Sequence, residues 1–169
     1  MKVIVTATGN DRPGIVSDLS NIITECGGNV EESRMIKLES EFSVIMLIAI
    51  KNNDHLHLLK KINSIEYLNI VIKDINIDNT TNLPKYDIKL HGADNEGIVA
   101  VLTKYLAAKS INIIEMNTHI TQAPMTGAPL FNLSADITIP DNILQSDINN
   151  ELLSISKKLG IDIALSKSS

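Results

Sequence analysis

Little of this sequence is aromatic or sulfur-bearing. It has no Trp, only three Tyr and two Phe, so aliphatic side chains must pack its cores. Its one cysteine, Cys26, excludes an intrachain disulfide and a thiolate metal cluster. The thiol continues the helical spacing of Ile15, Val16, Leu19, Ile22 and Ile23, which predicts a buried structural role. Basic residues are also scarce. Fifteen Lys and Arg against twenty Asp and Glu leave a net charge of −5 with no basic stripe, which argues against direct contact with nucleic acid. No stretch approaches the roughly eighteen apolar residues of a membrane helix, and Met1 leads into an alternating pattern instead of a basic leader. A cytoplasmic protein without membrane contact is expected.

What is present is a repeat. Gly9, Asp11, Gly14, Ile15 and Val16 recur at a constant offset of 83 as Gly92, Asp94, Gly97, Ile98 and Val99, and Leu19, Asn29 and Val30 return as Leu102, Asn112 and Ile113. A match over more than twenty residues without a gap points to a duplicated supersecondary unit. It predicts a first domain at 1–79, a linker at 80–85 that overlaps the polar stretch Asp78 to Pro84, and a second domain at 86–169. Domains of roughly eighty residues bury a limited share of their surface, so packing against another domain or subunit is expected.

Within each half the periodicities read βαββαβ. Val3, Val5 and Ala7 alternate as a strand, Asp11 is a natural N-cap, and Gly27-Gly28 stops the first helix. Strands follow at Val30 to Leu38 and Phe42 to Ile50; Asn53-Asp54 can cap a second helix, and Asn69 to Ile77 closes the unit. The second half repeats this with Tyr86 to His91, a helix from Ile98, strands at Ile113 to Thr121 and Leu130 to Ile139, a helix carrying Leu144, Ile148 and Leu152, and Ile161 to Leu165. Six extra residues lengthen its hairpin between Gln122 and Pro129, so that Phe131 corresponds to Phe42. The fold class is α+β, each unit a four-stranded antiparallel sheet with two helices on one face. Strand Phe42 to Ile50 is apolar on both faces, whereas Leu130 to Ile139 alternates cleanly. Another domain or subunit is therefore expected to cover the second face of the first sheet.

The start of each first helix is where chemistry is expected. Free backbone N–H groups and the positive end of the helix dipole meet there, and Gly14 and Gly97 leave room for a ligand carboxylate. Asp11 or Asp94 would cap the helix or receive an ammonium group, with Asn10 and Asn95 adding amide donors and acceptors. The plainer alternative is a strand-to-helix turn with an Asp cap. Arg12-Pro13 occurs only in the first loop, with Asn95-Glu96 in its place in the second, so the two sites are expected to be unequal or only one to be used.

Elsewhere nothing assembles into a catalytic set. His55 and His57 are two apart and point away from each other on a helix, His91 and His119 stand alone on strands, and no P-loop or Gly-x-Gly-x-x-Gly occurs. No enzymatic activity, cofactor or metal is expected.

Two βαββαβ units that open with Asp-x-x-Gly-Ile-Val resemble the ACT domain, a small regulatory module of amino-acid metabolism. The resemblance rests on Gly9 to Val16, Cys26 to Val30, Gly92 to Val99 and Asn112-Ile113. The tandem pair, with the hairpin Ala123-Pro124 to Pro129-Leu130-Phe131, is similar to the glycine cleavage system transcriptional repressor family. The resemblance implies two ferredoxin-like domains, a homodimer, and a small amino acid such as glycine as ligand. It implies a ligand site drawn from Asn10, Asp11, Arg12, Pro13, Gly14, Ile15, Val16 and Asn29, with Asp94, Asn95, Gly97, Ile98 and Asn112 in the second half. Control of transcription would pass through a protein partner such as a transcription factor. The chain ends before any catalytic domain of the kind that follows ACT modules in phosphoserine phosphatases or formyltetrahydrofolate deformylases, so a stand-alone pair is expected. An ACT pair used only for protein contacts is the alternative.

Overall fold

The computed structural model describes residues 1–75 and 83–168. The chain divides into two compact units, Met1–Asn79 and Thr80–Ser169. The first contains β1 (Lys2–Asn10), α1 (Ile15–Glu25), β2 (Asn29–Leu38), β3 (Glu41–Ala49), α2 (His55–Ile62) and β4 (Asn69–Ile75). The second contains β5 (Lys85–Ala93), α3 (Ile98–Ala108), β6 (Asn112–Gln122), β7 (Pro129–Thr138), α4 (Gln145–Leu159) and β8 (Ile161–Lys167). Half of the expected linker (80–82), and the last two residues of the expected fourth strand, lie outside the described residues. Lys85, expected in the linker, already opens β5.

Both sheets are antiparallel, with strand orders β2-β3-β1-β4 and β6-β7-β5-β8. The register bears out the hairpin reading: Gly9 stands opposite Phe42 and Gly92 opposite Phe131. Alternation decides which side each residue faces. Val3, Val5, Ala7, Val44, Met46 and Ile48 turn inward and meet Ile15, Leu19 and Ile23 of α1 and Leu58 and Ile62 of α2 in one aliphatic core. Ile88, Leu90, Leu133, Ala135 and Ile137 do the same against Leu102, Leu106, Ile148 and Leu152. Burying each such Leu or Ile contributes about 1.5–3 kcal/mol. Cys26 is buried in the first core, and that burial pushes its thiol up.

Three local expectations are corrected. Asp11 and Asp94 cap neither helix, because Gly14 and Gly97 occupy the N-cap positions and no side-chain cap bond forms. Asp54 stands at the N-cap of α2 but likewise makes no cap bond. Leu144 precedes α4 in extended backbone and is exposed, so the buried stripe of that helix begins at Ile148.

Candidate functional site

The first strand-to-helix junction begins at a glycine with a packing reason. A Cβ on Gly9 would lie 2.7 Å from the Tyr67 carbonyl oxygen, and one on Gly92 would lie 2.6 Å from Ile161 Cγ2. Each glycine therefore lets the start of the last strand pass close to the first. Beyond Gly9, the Asp11 amide donates to the Ser40 carbonyl at 2.7 Å, extending the sheet by one bond. Pro13 lies in the turn before the helix, outside its first turn. Gly14 then adopts φ +98°, a left-handed conformation that L side chains rarely adopt, and beyond its immediate chain neighbours nothing lies within 4 Å of where its Cβ would be. The space above the first amides of α1 is open, and those amides have no acceptor within the helix.

Side chains around this opening are organised by Tyr67, 49 residues beyond Asp18 in sequence. The Arg12 guanidinium lies over the Tyr67 ring, 3.2 Å from its centroid. The Tyr67 hydroxyl donates to Asp18 Oδ2 at 2.5 Å, and Arg12 approaches the same oxygen at 3.4 Å. Burial, followed by the bond to Asp18, pushes the Tyr67 phenol up, so it stays a donor. Asp18 also borders an open depression of about 480 Å³ with Asn21, Ile22 and Tyr67. Asp11 is held differently, paired with Lys37 at 2.7 Å. The sequence reading named Asp11 as the acidic group of this loop and did not find Asp18 or Tyr67.

At the second junction Gly97 takes φ +84° with the same open space. Its surroundings differ. Asn95 replaces Arg12 and reaches the Leu159 carbonyl at 3.4 Å. The offset of 83 puts Val101 where Asp18 stands, and strand register puts Gly160 where Tyr67 stands. Asp94 makes no side-chain hydrogen bond or ion pair among the described residues; its amide bonds the Pro129 carbonyl at the base of the long hairpin.

Asn10 through Val16 are thus brought together, with Ile15 buried beneath the loop and Val16 half-exposed. Asp94, Asn95, Gly97 and Ile98 are grouped in the same way. Asn29 and Asn112 are not. Asn29 pairs with Ala49, itself opposite Lys2, and Asn112 pairs with Thr138, itself opposite Lys85. Within each unit these two asparagines stand at the far end of the sheet, about 25 Å along the strand from the loop.

Residues 2–67 match the family model of the ACT domain. That match covers most of the first unit. The second unit repeats the same strand order and helix placement. A segment of 47 residues is 45% identical to the glycine cleavage system transcriptional repressor of Escherichia coli K12, covering 28% of this chain and 25% of that protein. The match to this curated relative therefore spans about a quarter of its length. Over nearly the whole length (99% of this chain and 98% of the other), the fold is similar to the crystal structure of an unknown protein from Galdieria sulphuraria, with 29% identity and a TM-score of 0.89. A candidate glycine cleavage system transcriptional repressor shares the fold at a TM-score of 0.72 and 17% identity, covering 99% of this chain and 97% of that one. ACT homology supports a regulatory role. No helix among the described residues is long and apolar enough to cross a membrane.

Proposed function

We propose that this protein is a non-enzymatic regulator that senses a small amino acid, glycine or a near relative, at the first junction. As a homodimer it would control transcription of glycine cleavage through a protein partner. One observation carries the ligand assignment: the open, left-handed Gly14 cap with a charged cluster beside it, inside the segment that matches the ACT domain. The ligand carboxylate would lie on the amides of Ile15, Val16 and Ser17, where the helix dipole favours negative charge. Its ammonium group would face Asp18, which Tyr67 and Arg12 hold beside the opening through Oδ2, while Asp11 is paired with Lys37. Asn10 and Arg12 flank the carboxylate position. Binding regulates only if the ligand prefers one conformation or assembly over another.

Thermal unfolding against a panel of amino acids, glycine and serine included, tests this reading. A ligand at a hundred times its Kd adds about 2.7 kcal/mol, which for a chain of this size raises Tm by roughly 5–10 °C. The shift should vanish in Arg12→Ala and in Gly14→Asn, whose side chain tolerates the left-handed backbone. No shift with any compound favours the second reading, an interaction module without a small ligand. That reading draws on the apolar outer face of the first sheet, where Ile36, Ile45 and Val71 are exposed.

A further inference from the structure

The outer face of the second sheet, away from its helices, presents one row of polar side chains across all four strands. Asp162 of β8 stands opposite His91 of β5, His91 opposite Asn132 of β7, and Asn132 opposite His119 of β6. Opposed Cβ atoms on one face lie about 4.5–5.5 Å apart, so this is a continuous strip. Lys89 and Ser134 form the centre of the next row. These six residues border an open depression of about 540 Å³.

The centre of the strip is fixed. His91 Nδ1–H donates to Asn132 Oδ1 at 2.7 Å, and Asn132 Nδ2 donates to Thr121 Oγ1 at 3.0 Å and to the Leu130 carbonyl at 3.2 Å. This orients the His91 ring and leaves Nε2 without a partner among the described residues. Lys89, His119 and Asp162 likewise make no side-chain hydrogen bond or ion pair among the described residues. The first sheet has no such row: in register its residues are Asn69, Thr8, Ser43 and Ile36, with Thr6 and Ile45 in place of Lys89 and Ser134. The cluster is therefore specific to the second unit and is not a by-product of the repeat.

We infer that Lys89, His91 and His119 form a binding site for a phosphate group over Asn132 and Ser134. Lys89 and His91 on β5 and His119 on β6, on either side of β7, present three donors on one face, which suits a tetrahedral oxyanion with several acceptor oxygens, whereas a planar carboxylate is best met by a paired fork. With Nδ1–H committed to Asn132, His91 Nε2 donates only when the ring is protonated, so binding strengthens as the ring takes up a proton. His91 faces Asp162 from β8, no titratable group from β7, and Lys89 on its own strand. His119 faces Asn132 and has Asn117 and Thr121 on its own strand. The acidic row of Glu115, Asp136 and Asp87 lies four residues from the histidine row, about 13 Å along the strands, and two residues from Lys89, about 7 Å. Protonating both rings adds two positive charges beside Lys89, against Asp162 next to His91 and Asp87 two residues from Lys89.

The test is proton NMR titration of the four histidines in the full chain, in inorganic phosphate and in chloride of equal ionic strength. Phosphate should raise the apparent pKa of His91 and His119 by about one unit, and leave His55 and His57 in place. Equal shifts at all four, or none, would overturn the site. Lys89→Met and His91→Gln should weaken phosphate binding about tenfold, a loss of one hydrogen-bonded contact to an anion. Asp162→Asn should tighten it, and loss of binding in Asp162→Asn would contradict an anion site. A phosphomonoester that binds more tightly than inorganic phosphate assigns the site to a phosphorylated metabolite, and equal affinity assigns it to the free ion. Malonate binding as tightly as phosphate would overturn the phosphate assignment. None of these readouts depends on the amino-acid site at Gly14.

Discussion

The two sheets share strand order and register but turn different chemistry outward. On the first, Ile4, Ile36, Ile45, Leu47 and Val71 occupy the face away from the helices; at the same register positions the second has Asp87, His119, Ser134, Asp136 and Ala164. The inward faces, by contrast, are aliphatic in both. A duplicated fold thus keeps what its core requires, while the outer surface and the loop chemistry are free to diverge. The junctions show the same division. Gly9 and Gly92 are both needed for a close strand approach, and Gly14 and Gly97 both form left-handed caps. The Arg12, Asp18 and Tyr67 cluster exists only in the first unit.

Substitutions at paired positions can break or sharpen this comparison. The largest effect should come from the shared core: Leu19→Ala and Leu102→Ala, both essentially buried, should each cost about 2–5 kcal/mol in urea unfolding. A small cost at either one would show that the cores are not equivalent. Next come Gly9→Ala and Gly92→Ala, where the new methyl meets backbone or a buried Ile; each should lose about 1–3 kcal/mol. Gly14→Ala and Gly97→Ala meet no neighbour, so their cost should be only that of the left-handed backbone, about 1–2 kcal/mol.

The smallest effect should separate the units. Arg12→Ala removes the guanidinium from Tyr67 at an exposed site and should cost about 0.5–1 kcal/mol, whereas Asn95→Ala should stay within about 0.5 kcal/mol. The tyrosines add a pH test. Burial, with Glu151 beside it, pushes Tyr105 up to about 12 from an ordinary value of 10.0. The unfolded phenol ionises first, so its contribution to stability is intact below pH 10 and is lost as pH rises through about 12. Ultraviolet titration should show Tyr105 ionising last. Ionisation of all three tyrosines together near 10.0 would contradict its burial.

Much of the fold was legible because periodicity and repetition are local signals. Strand alternation, the helical spacing of Ile15, Leu19 and Ile23, and the Phe42 to Phe131 correspondence needed no tertiary information. The site was legible only in part. Asp11 looked like a cap, but a left-handed glycine took that position, and Lys37 from the neighbouring strand claimed the carboxylate. Asn29 and Asn112 followed the repeat faithfully yet sit at the other end of their sheets, since sequence spacing does not reveal which end of a strand a residue occupies. Tyr67 gave no signal because its partners Arg12 and Asp18 are joined to it only by the fold.

Glycine titration followed by backbone amide NMR tests the central claim most directly, because it reads both junctions in one sample. The account predicts saturable shifts at Ile15, Val16, Ser17 and Asp18, smaller or absent shifts at Ile98 to Val101, and loss of the first set in Arg12→Ala. Equal shifts at both junctions, or none at Ile15 to Asp18 with glycine or any related amino acid, would contradict it.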